Sequence, residues 1–309
     1  MQKTLTIAFL ALALSPPALI AADGEILGRA VYSFPAWQKA VEDSDAEKYA
    51  SAEEYQDAIT DSRFVLEKIR YRSDGLEVFA YLYRPEPAGM QKLPAIVFNR
   101  GSYVRGDIAP ELVPMFRRLA SAGFIVIAPL YRGSEGSEGS DEMGGADLKD
   151  LMNVVPLAAS LGSIDTSSMF LYGESRGGMM VFQAIRDGFP AKAAATFGGF
   201  TDLEEMVASE AGLGMANHIW PDFAERRTEI IAKRSAVQWP EKLNIPLLLM
   251  HGSADGSVSV TQTLRLGMAL AREGKTFGII VFPGGKHTLR QFDQARDQQA
   301  LDFFRQNDE

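Results

Sequence analysis

The chain has 309 residues, of which 46% are hydrophobic and 23% are charged, a composition typical of a soluble globular protein with a large core. Its formal net charge of −9 argues against non-specific binding to nucleic acid. Because the sequence contains no cysteine, disulfides and thiolate metal sites are excluded, and the fold must rely on its core.

Residues 1–22 have the pattern of a secretory signal peptide. A positive charge at Lys3 precedes an apolar run from Thr6 to Leu14, and small residues suited to cleavage end at Ala22. The apolar run is too short to span a bilayer comfortably. We therefore expect export to the periplasm or the medium, with no stable membrane insertion after cleavage. The alternative is that the leader is retained as an anchor.

Residues 23–63 form an N-terminal helical extension, with a helix predicted over residues 42–59. Two strands follow at residues 64–71 and 76–83, joined by a Ser-Asp-Gly turn. Downstream, short apolar runs alternate with segments that carry apolar residues at helical spacing. These runs predict strands at residues 94–98, 124–130, 169–172, 191–197, 245–250 and 276–282. The intervening and final segments predict helices at residues 110–122, 146–161, 177–187, 261–272 and 289–304.

This alternation predicts an α/β protein with a mostly parallel central sheet of about eight strands and helices on both faces. Residues 201–241 are too many for a plain connection. We interpret them as a helical insertion over the carboxyl ends of the strands, where open α/β sheets bind ligands. Within it, Trp220 and Phe223 are candidate substrate-pocket residues, with core packing as an equally good alternative.

The run Gly173-Glu174-Ser175-Arg176-Gly177-Gly178 lies between a predicted strand and a predicted helix. A serine on so sharp a turn has its hydroxyl exposed, but it needs a base as well as an acid that orients the base.

The chain has three histidines. In α/β-hydrolases the order along the chain is Ser, Asp, His. Asp255 and His287 follow the last two predicted strands in that order, so the sequence predicts a catalytic triad of Ser175, Asp255 and His287.

The remaining titratable candidates receive other interpretations. We expect His251 to pack in the loop at the end of its strand, while His218 lies in the insertion with no motif around it. Asp147, Asp150 and Asp165 are interpreted as helix caps and surface charges.

An acyl-transfer site also needs two donors for the oxyanion. One is expected to be the backbone N–H of Arg176, the residue after the nucleophile. The other should come from the loop after the third predicted strand, which reads Asn-Arg-Gly where many hydrolases have His-Gly-Gly. The candidates are the backbone N–H of Gly101 or Ser102, the Asn99 amide and the Tyr103 hydroxyl.

From about Phe64 to the C-terminus, these residues resemble the catalytic domain of the prolyl oligopeptidase family of serine peptidases, which has the α/β-hydrolase fold. The motifs that carry the resemblance are Tyr131-Arg132-Gly133-Ser134, Asp147 and Asp150, the run 173–178, His251-Gly252-Ser253-Ala254-Asp255 and Gly284-Gly285-Lys286-His287. The resemblance implies hydrolysis of short peptides through an acyl-enzyme, without a metal or other cofactor.

Full-length members of this family usually carry a β-propeller before the hydrolase domain, and residues 23–63 are too few to form one. This departure favours the alternative of a carboxylesterase or acyl hydrolase acting on small esters. A non-catalytic binding protein on the same fold is the less favoured third hypothesis. Glu204 and Glu205, which resemble a pair that binds peptide amino termini, are interpreted as a solvated helix face.

Overall fold

The computed structural model describes residues 22–87, 91–103 and 106–308, and within them nine strands form a single sheet. Residues 1–21 of the predicted signal peptide lie outside the described residues. The strands are β1 (Ile26–Val31), β2 (Phe64–Ser73), β3 (Leu76–Pro85), β4 (Leu93–Asn99), β5 (Ile125–Pro129), β6 (Ile164–Glu174), β7 (Ala193–Phe197), β8 (Leu247–Gly252) and β9 (Phe277–Phe282).

The helices alternate with the strands after β4. They are α1 (Trp37–Asp43), α2 (Ala46–Tyr49), α3 (Ala52–Thr60), α4 (Ala109–Ser121), α5 (Leu148–Met152), α6 (Val154–Leu161), α7 (Arg176–Arg186), α8 (Leu203–Met206), α9 (Glu210–Ile219), α10 (Phe223–Arg234), α11 (Val260–Arg272) and α12 (Asp293–Gln306). Short 3-10 turns lie at Ala236–Gln238, Pro240–Lys242 and Arg290–Phe292.

The strand order in the sheet is β1-β2-β3-β5-β4-β6-β7-β8-β9. The pairs β1–β2, β2–β3 and β3–β5 are antiparallel, and all pairs from β5 to β9 are parallel. The predicted mostly parallel α/β sheet is therefore confirmed. The ninth strand is β1, which lies in the segment predicted to be helical.

Both faces of the sheet are covered by helices, as predicted. Along β4, Ala95 and Val97 contribute to one core cluster, whereas Ile96 and Phe98 contribute to the other, because successive side chains of a strand point to opposite faces. Helices α5, α6, α7 and α11 cover the first face. Helices α3, α4 and α12 cover the second.

The single helix predicted over residues 42–59 is wrong, since the segment is divided between α1, α2 and α3. The Ser44 hydroxyl donates to the Ala40 carbonyl at the end of α1, and Ser51 begins α3 with a capping box to Glu54. Serine side chains that bond to nearby backbone favour helix ends over helix interiors. The extension still packs firmly, because Tyr55 of α3 is fully buried.

The topology brings together the loops that the sequence singled out. The carboxyl ends of β4, β6, β8 and β9 meet at one edge of the sheet because these strands are parallel. The insertion between β7 and β8 is helical, as predicted, and contains α8, α9 and α10. Among the described residues, no helix is long and apolar enough to cross a membrane.

Candidate active site

Ser175 lies between the last residue of β6 and the first residue of α7. Its φ of 52° and ψ of −118° are rare for a residue with a side chain. Such a conformation costs on the order of 1–3 kcal/mol and persists only where the surrounding structure enforces it. The serine is therefore held in the strained turn that its motif predicts.

The glycines around Ser175 are required by close contacts between backbone segments. A Cβ on Gly173 would lie 2.6 Å from the Gly177 carbonyl oxygen, and a Cβ on Gly178 would lie 2.8 Å from Gly199 Cα. A Cβ on Gly177 would overlap the carbonyl oxygen of Asn99 at the end of β4. A side chain on Gly173 would open the turn itself, and one on Gly177 or Gly178 would push away the segments that follow β4 or β7.

The structure brings the three predicted triad residues together. The Ser175 Oγ lies 2.9 Å from His287 Nε2, and His287 Nδ1 lies 2.7 Å from Asp255 Oδ2. His287 follows β9 and Asp255 follows the adjacent strand β8, so both side chains come from the same edge of the sheet as Ser175. The Asp255 side chain is fully buried, whereas the His287 side chain is 23% exposed.

Asp255 is held by four donors. Its Oδ1 accepts the backbone N–H groups of Ser257 and Val258 at 2.8 and 2.9 Å. Its Oδ2 accepts from His287 and also lies 3.0 Å from His251 Nε2. The carboxylate therefore has a fixed orientation toward His287.

His251 is a site residue that sequence reasoning missed. Its Nε2 lies 3.0 Å from the Val258 carbonyl and 3.0 Å from the Asp255 carboxylate. Because both neighbours only accept, Nε2 carries the proton, and Nδ1 accepts from the Thr263 hydroxyl at 2.7 Å. The spacing of four residues between His251 and Asp255 was the available signal.

The pKa values of the pair follow from these contacts. Burial alone would raise the pKa of Asp255, but hydrogen bonds from His251 and His287 outweigh it and hold that pKa well below its usual range. Burial would lower the pKa of His287, but the hydrogen bond and charge of Asp255 outweigh it and raise that pKa above its ordinary value. The site thus stabilises an imidazolium, which proton transfer from a serine requires.

Two of the oxyanion candidates are engaged elsewhere. The buried Asn99 amide donates to the Val97 carbonyl at 3.0 Å and accepts from the Tyr131 hydroxyl at 3.0 Å. The Tyr103 hydroxyl donates to the Asp141 carbonyl at 2.9 Å. The single hydroxyl hydrogen of Tyr103 is thus engaged, and Asn99 is fully buried with one amide N–H bonded to Val97.

The backbone candidates lie beside the serine. Arg176 is the first residue of α7, where an N–H has no partner within the helix. A Cβ on Gly101 would lie 3.3 Å from Ser175 Cβ, which places this loop against the nucleophile. The backbone N–H of Arg176 and the peptide groups at Gly101 and Ser102 are therefore the remaining candidates.

Asp147 and Asp150 are not surface charges, contrary to the prediction. Both are fully buried. Asp147 lies 2.7 Å from Arg176 Nη2, and Asp150 lies 2.9 Å from Arg132 Nη2. Each acid neutralises a buried guanidinium from a distant part of the chain, and buried charges require such partners.

Trp220 and Phe223 are packed in the core. Both are buried, with ring centroids 6.0 Å apart. The Trp220 indole N–H donates to the Glu142 carbonyl at 2.9 Å, and the Arg234 guanidinium lies 4.6 Å from its ring centroid. These contacts hold both rings on the buried side of the insertion and favour the core-packing alternative.

A cavity of about 470 Å³ lies beside the acid loop. It is lined by Met206, Ala211, Met215, Gly256, Ser257 and other residues of α8, α9 and the start of α11. At its far end, α9 places His218 with its ring centroid 6.2 Å from that of Tyr103. Helix α9 therefore lines this cavity beside the acid loop and also contacts Tyr103 in the loop after β4.

The acidic pair at the start of the insertion is already neutralised. Glu204 lies 2.6 Å from Arg227, and Glu205 lies 2.5 Å from Arg265. Glu205 also accepts from the Thr261 hydroxyl at 3.1 Å. Both glutamates are therefore engaged in ion pairs at the surface.

The fold and this constellation define a serine hydrolase of the α/β-hydrolase class. A profile of the prolyl oligopeptidase family matches residues 114–308. The chain belongs to the prolyl oligopeptidase family, as its motifs predicted.

Similar proteins include peptidases of different lengths. The uncharacterized peptidase YtmA of Bacillus subtilis is 29% identical over 201 residues, covering 64% of this chain and 76% of YtmA. The acylamino-acid-releasing enzyme of Arabidopsis thaliana is 28% identical over 188 residues, covering 55% of this chain and 24% of that enzyme. The chain thus spans most of one relative but only a quarter of the other.

Solved structures show the same fold. The structure of a Mycobacterium tuberculosis puromycin-hydrolyzing peptidase superposes with a TM-score of 0.67 and 25% identity, over 79% of this chain and 40% of that one. A putative dienelactone hydrolase from Klebsiella pneumoniae superposes with a TM-score of 0.61 and 19% identity, over 79% of this chain and 99% of that one. At that identity the second likeness shows the fold alone.

The glycine contacts predict a large difference between two helical glycines. We expect Gly177→Ala to lower the free energy of unfolding by about 3 kcal/mol or more, because the added methyl meets backbone that cannot move aside. Gly214→Ala, in open space on α9, should be neutral or stabilise by up to about 1 kcal/mol. Urea unfolding measures both, and equal midpoints for the two variants would contradict the contacts.

The Asp255–His287 pair predicts the pH dependence of hydrolysis. His287 must be neutral to accept the serine proton, so kcat/KM should fall as pH drops through the pKa of His287, which Asp255 raises above its ordinary value. Asp255→Asn should move this midpoint to lower pH and reduce the plateau rate by about 10³–10⁴-fold. The exposed Asp187→Asn is the control. An unmoved midpoint in Asp255→Asn would show that Asp255 does not act on His287.

Proposed function

We propose that Ser175, His287 and Asp255 are the catalytic triad of a serine peptidase that cleaves short peptides through an acyl-enzyme. The observation that carries the proposal is the continuous hydrogen-bond chain from Ser175 Oγ through both nitrogens of His287 to Asp255. The assignment to a peptidase is supported by membership of the prolyl oligopeptidase family and by relatives that are named peptidases.

The steps follow from the positions of the donors and acceptors. Ser175 Oγ attacks the carbonyl carbon of the scissile bond while His287 Nε2 takes the hydroxyl proton. The oxyanion accepts hydrogen bonds from the backbone N–H of Arg176 and from the loop at Gly101 and Ser102. His287 then gives the proton to the leaving amine, and water repeats the sequence on the acyl-enzyme.

A carboxylesterase is the second candidate, because the same steps cleave an ester with an alcohol as the leaving group. The observation that favours it is the neutralised pair Glu204 and Glu205, which offers no free carboxylate for a peptide amino terminus. The cavity beside the acid loop, with Met206 and Met215 in its lining, suits an uncharged acyl group.

We also propose that the enzyme is exported to the periplasm or the medium. Two observations support this proposal. Residues 1–22 have the pattern of a leader, and the sequence contains no cysteine, so no disulfide can form in it in an oxidising compartment.

Matched substrates distinguish the candidates. We expect the wild type to hydrolyse short peptide p-nitroanilides, and Ser175→Ala to lose at least about 10⁴-fold of that activity because the nucleophile is gone. Ser160→Ala, which removes an exposed serine hydroxyl of α6, should leave the rate unchanged.

Three outcomes have different meanings. Hydrolysis of p-nitrophenyl esters without any peptide cleavage would replace the peptidase by a carboxylesterase. Activity retained in Ser175→Ala would overturn the triad. Inactivity of the wild type toward both panels would favour the non-catalytic binding protein.

A further inference from the structure

The loop after β4 has an unusual backbone conformation beside the nucleophile. Ser102 has a φ of 63°, in the left-handed region that residues with side chains rarely adopt. The preceding Gly101 lies against Ser175, since a Cβ added to it would be 3.3 Å from Ser175 Cβ. A loop in this conformation needs contacts that hold it.

Arg100 supplies those contacts from within the loop. One nitrogen of its guanidinium, Nη1, donates to the carbonyls of Gly101, Ser102 and Tyr103 at 3.0, 3.2 and 2.8 Å. Three consecutive carbonyls thus converge on one atom. The Arg100 side chain itself is only 4% exposed.

The other side of the guanidinium is anchored to the segment that follows β5. Nη2 donates to the Leu130 carbonyl at 3.2 Å and to the Ser134 hydroxyl at 2.8 Å. The guanidinium carbon lies 5.1 Å from the centroid of the Tyr131 ring. Burial and the charge of Arg176 lower the pKa of Arg100 to about 10, which leaves the group protonated at neutral pH.

The orientation of the peptide groups follows from these bonds. In a trans peptide the N–H points away from the carbonyl of the same unit. Carbonyls directed at Arg100 therefore turn the N–H groups of Ser102 and Tyr103 away from it. The Arg176 side chain adds a bond of 3.0 Å to the Ser102 carbonyl, which ties the loop to the start of α7.

We propose that Arg100 is a positioning residue, which holds the loop of residues 99–103 so that its backbone N–H groups face the oxyanion formed at Ser175. This inference rests on the proposed function, since an oxyanion forms only if Ser175 attacks an acyl group. It also gives a role to the arginine at position 100, whose guanidinium bonds to three carbonyls of the loop.

Lysine cannot take over this role. Its ammonium is a single point with three donors, whereas Arg100 bonds to five acceptors on two sides of a planar group. Arg100→Lys and Arg100→Gln are therefore the test variants. Arg234→Lys is the matched control, because Arg234 is also buried and donates to three carbonyls, those of Met143, Glu142 and Ile230.

The experiment compares turnover of p-nitrophenyl acetate with inhibition by octyl trifluoromethyl ketone, whose hemiketal adduct with the serine hydroxyl carries an oxyanion. For Arg100→Lys we expect kcat to fall on the order of 100-fold and ketone affinity to fall by a similar factor. KM should change by less than about threefold, and the midpoint of the pH profile should stay in place, because the triad is intact. Arg234→Lys should lower the thermal midpoint without this loss of kcat.

The failures are distinguishable. If the wild type neither hydrolyses the ester nor binds the ketone, the proposed function fails and the inference fails with it. If the wild type is active and both Arg100 variants keep kcat and ketone affinity, the inference is overturned while the function stands. If Arg234→Lys loses kcat by the same factor, the effect of the Arg100 variants comes from a general loss of stability, and the positioning role of Arg100 is overturned.

Discussion

The turn between β6 and α7 requires backbone segments from three neighbouring strands to approach one another with no side chains between them. Gly177 meets the carbonyl of Asn99 from β4, and Gly178 meets Gly199 after β7. At Gly198, a Cβ would lie 2.7 Å from the carbonyl oxygen of His287. These contacts fix the distances between the loops, so the nucleophile, the base and the oxyanion loop are set by one steric constraint.

Buried ion pairs also hold the same turn in place. Arg176 is 1% exposed and lies 2.6 Å from Asp141 and 2.7 Å from Asp147. Removing one partner of such a group costs about 3–5 kcal/mol because a charge remains buried without compensation. Since Arg100 and Arg176 both bond to the carbonyl of Ser102, the charge network also determines where the oxyanion loop lies.

Much of the fold and the candidate triad could be predicted, because each depends on local pattern. Apolar runs and turn glycines mark the strands, and strand ends are where Ser175, Asp255 and His287 occur. The missed features depend on partners far along the chain. Asp147 pairs with Arg176, and the role of His251 requires knowing how the loop after β8 bends back. Strand β1 was missed because it is held in place by pairing with β2, from which the helices α1, α2 and α3 separate it along the chain.

The central claim is that this fold makes one serine hydroxyl nucleophilic. Mapping the adduct of a fluorophosphonate by peptide mass spectrometry tests that claim most directly, because the reagent bonds only to an activated nucleophile. A single adduct is expected, on the peptide that contains Ser175. A protein that remains unmodified, or that carries its adduct on a different residue, would contradict it.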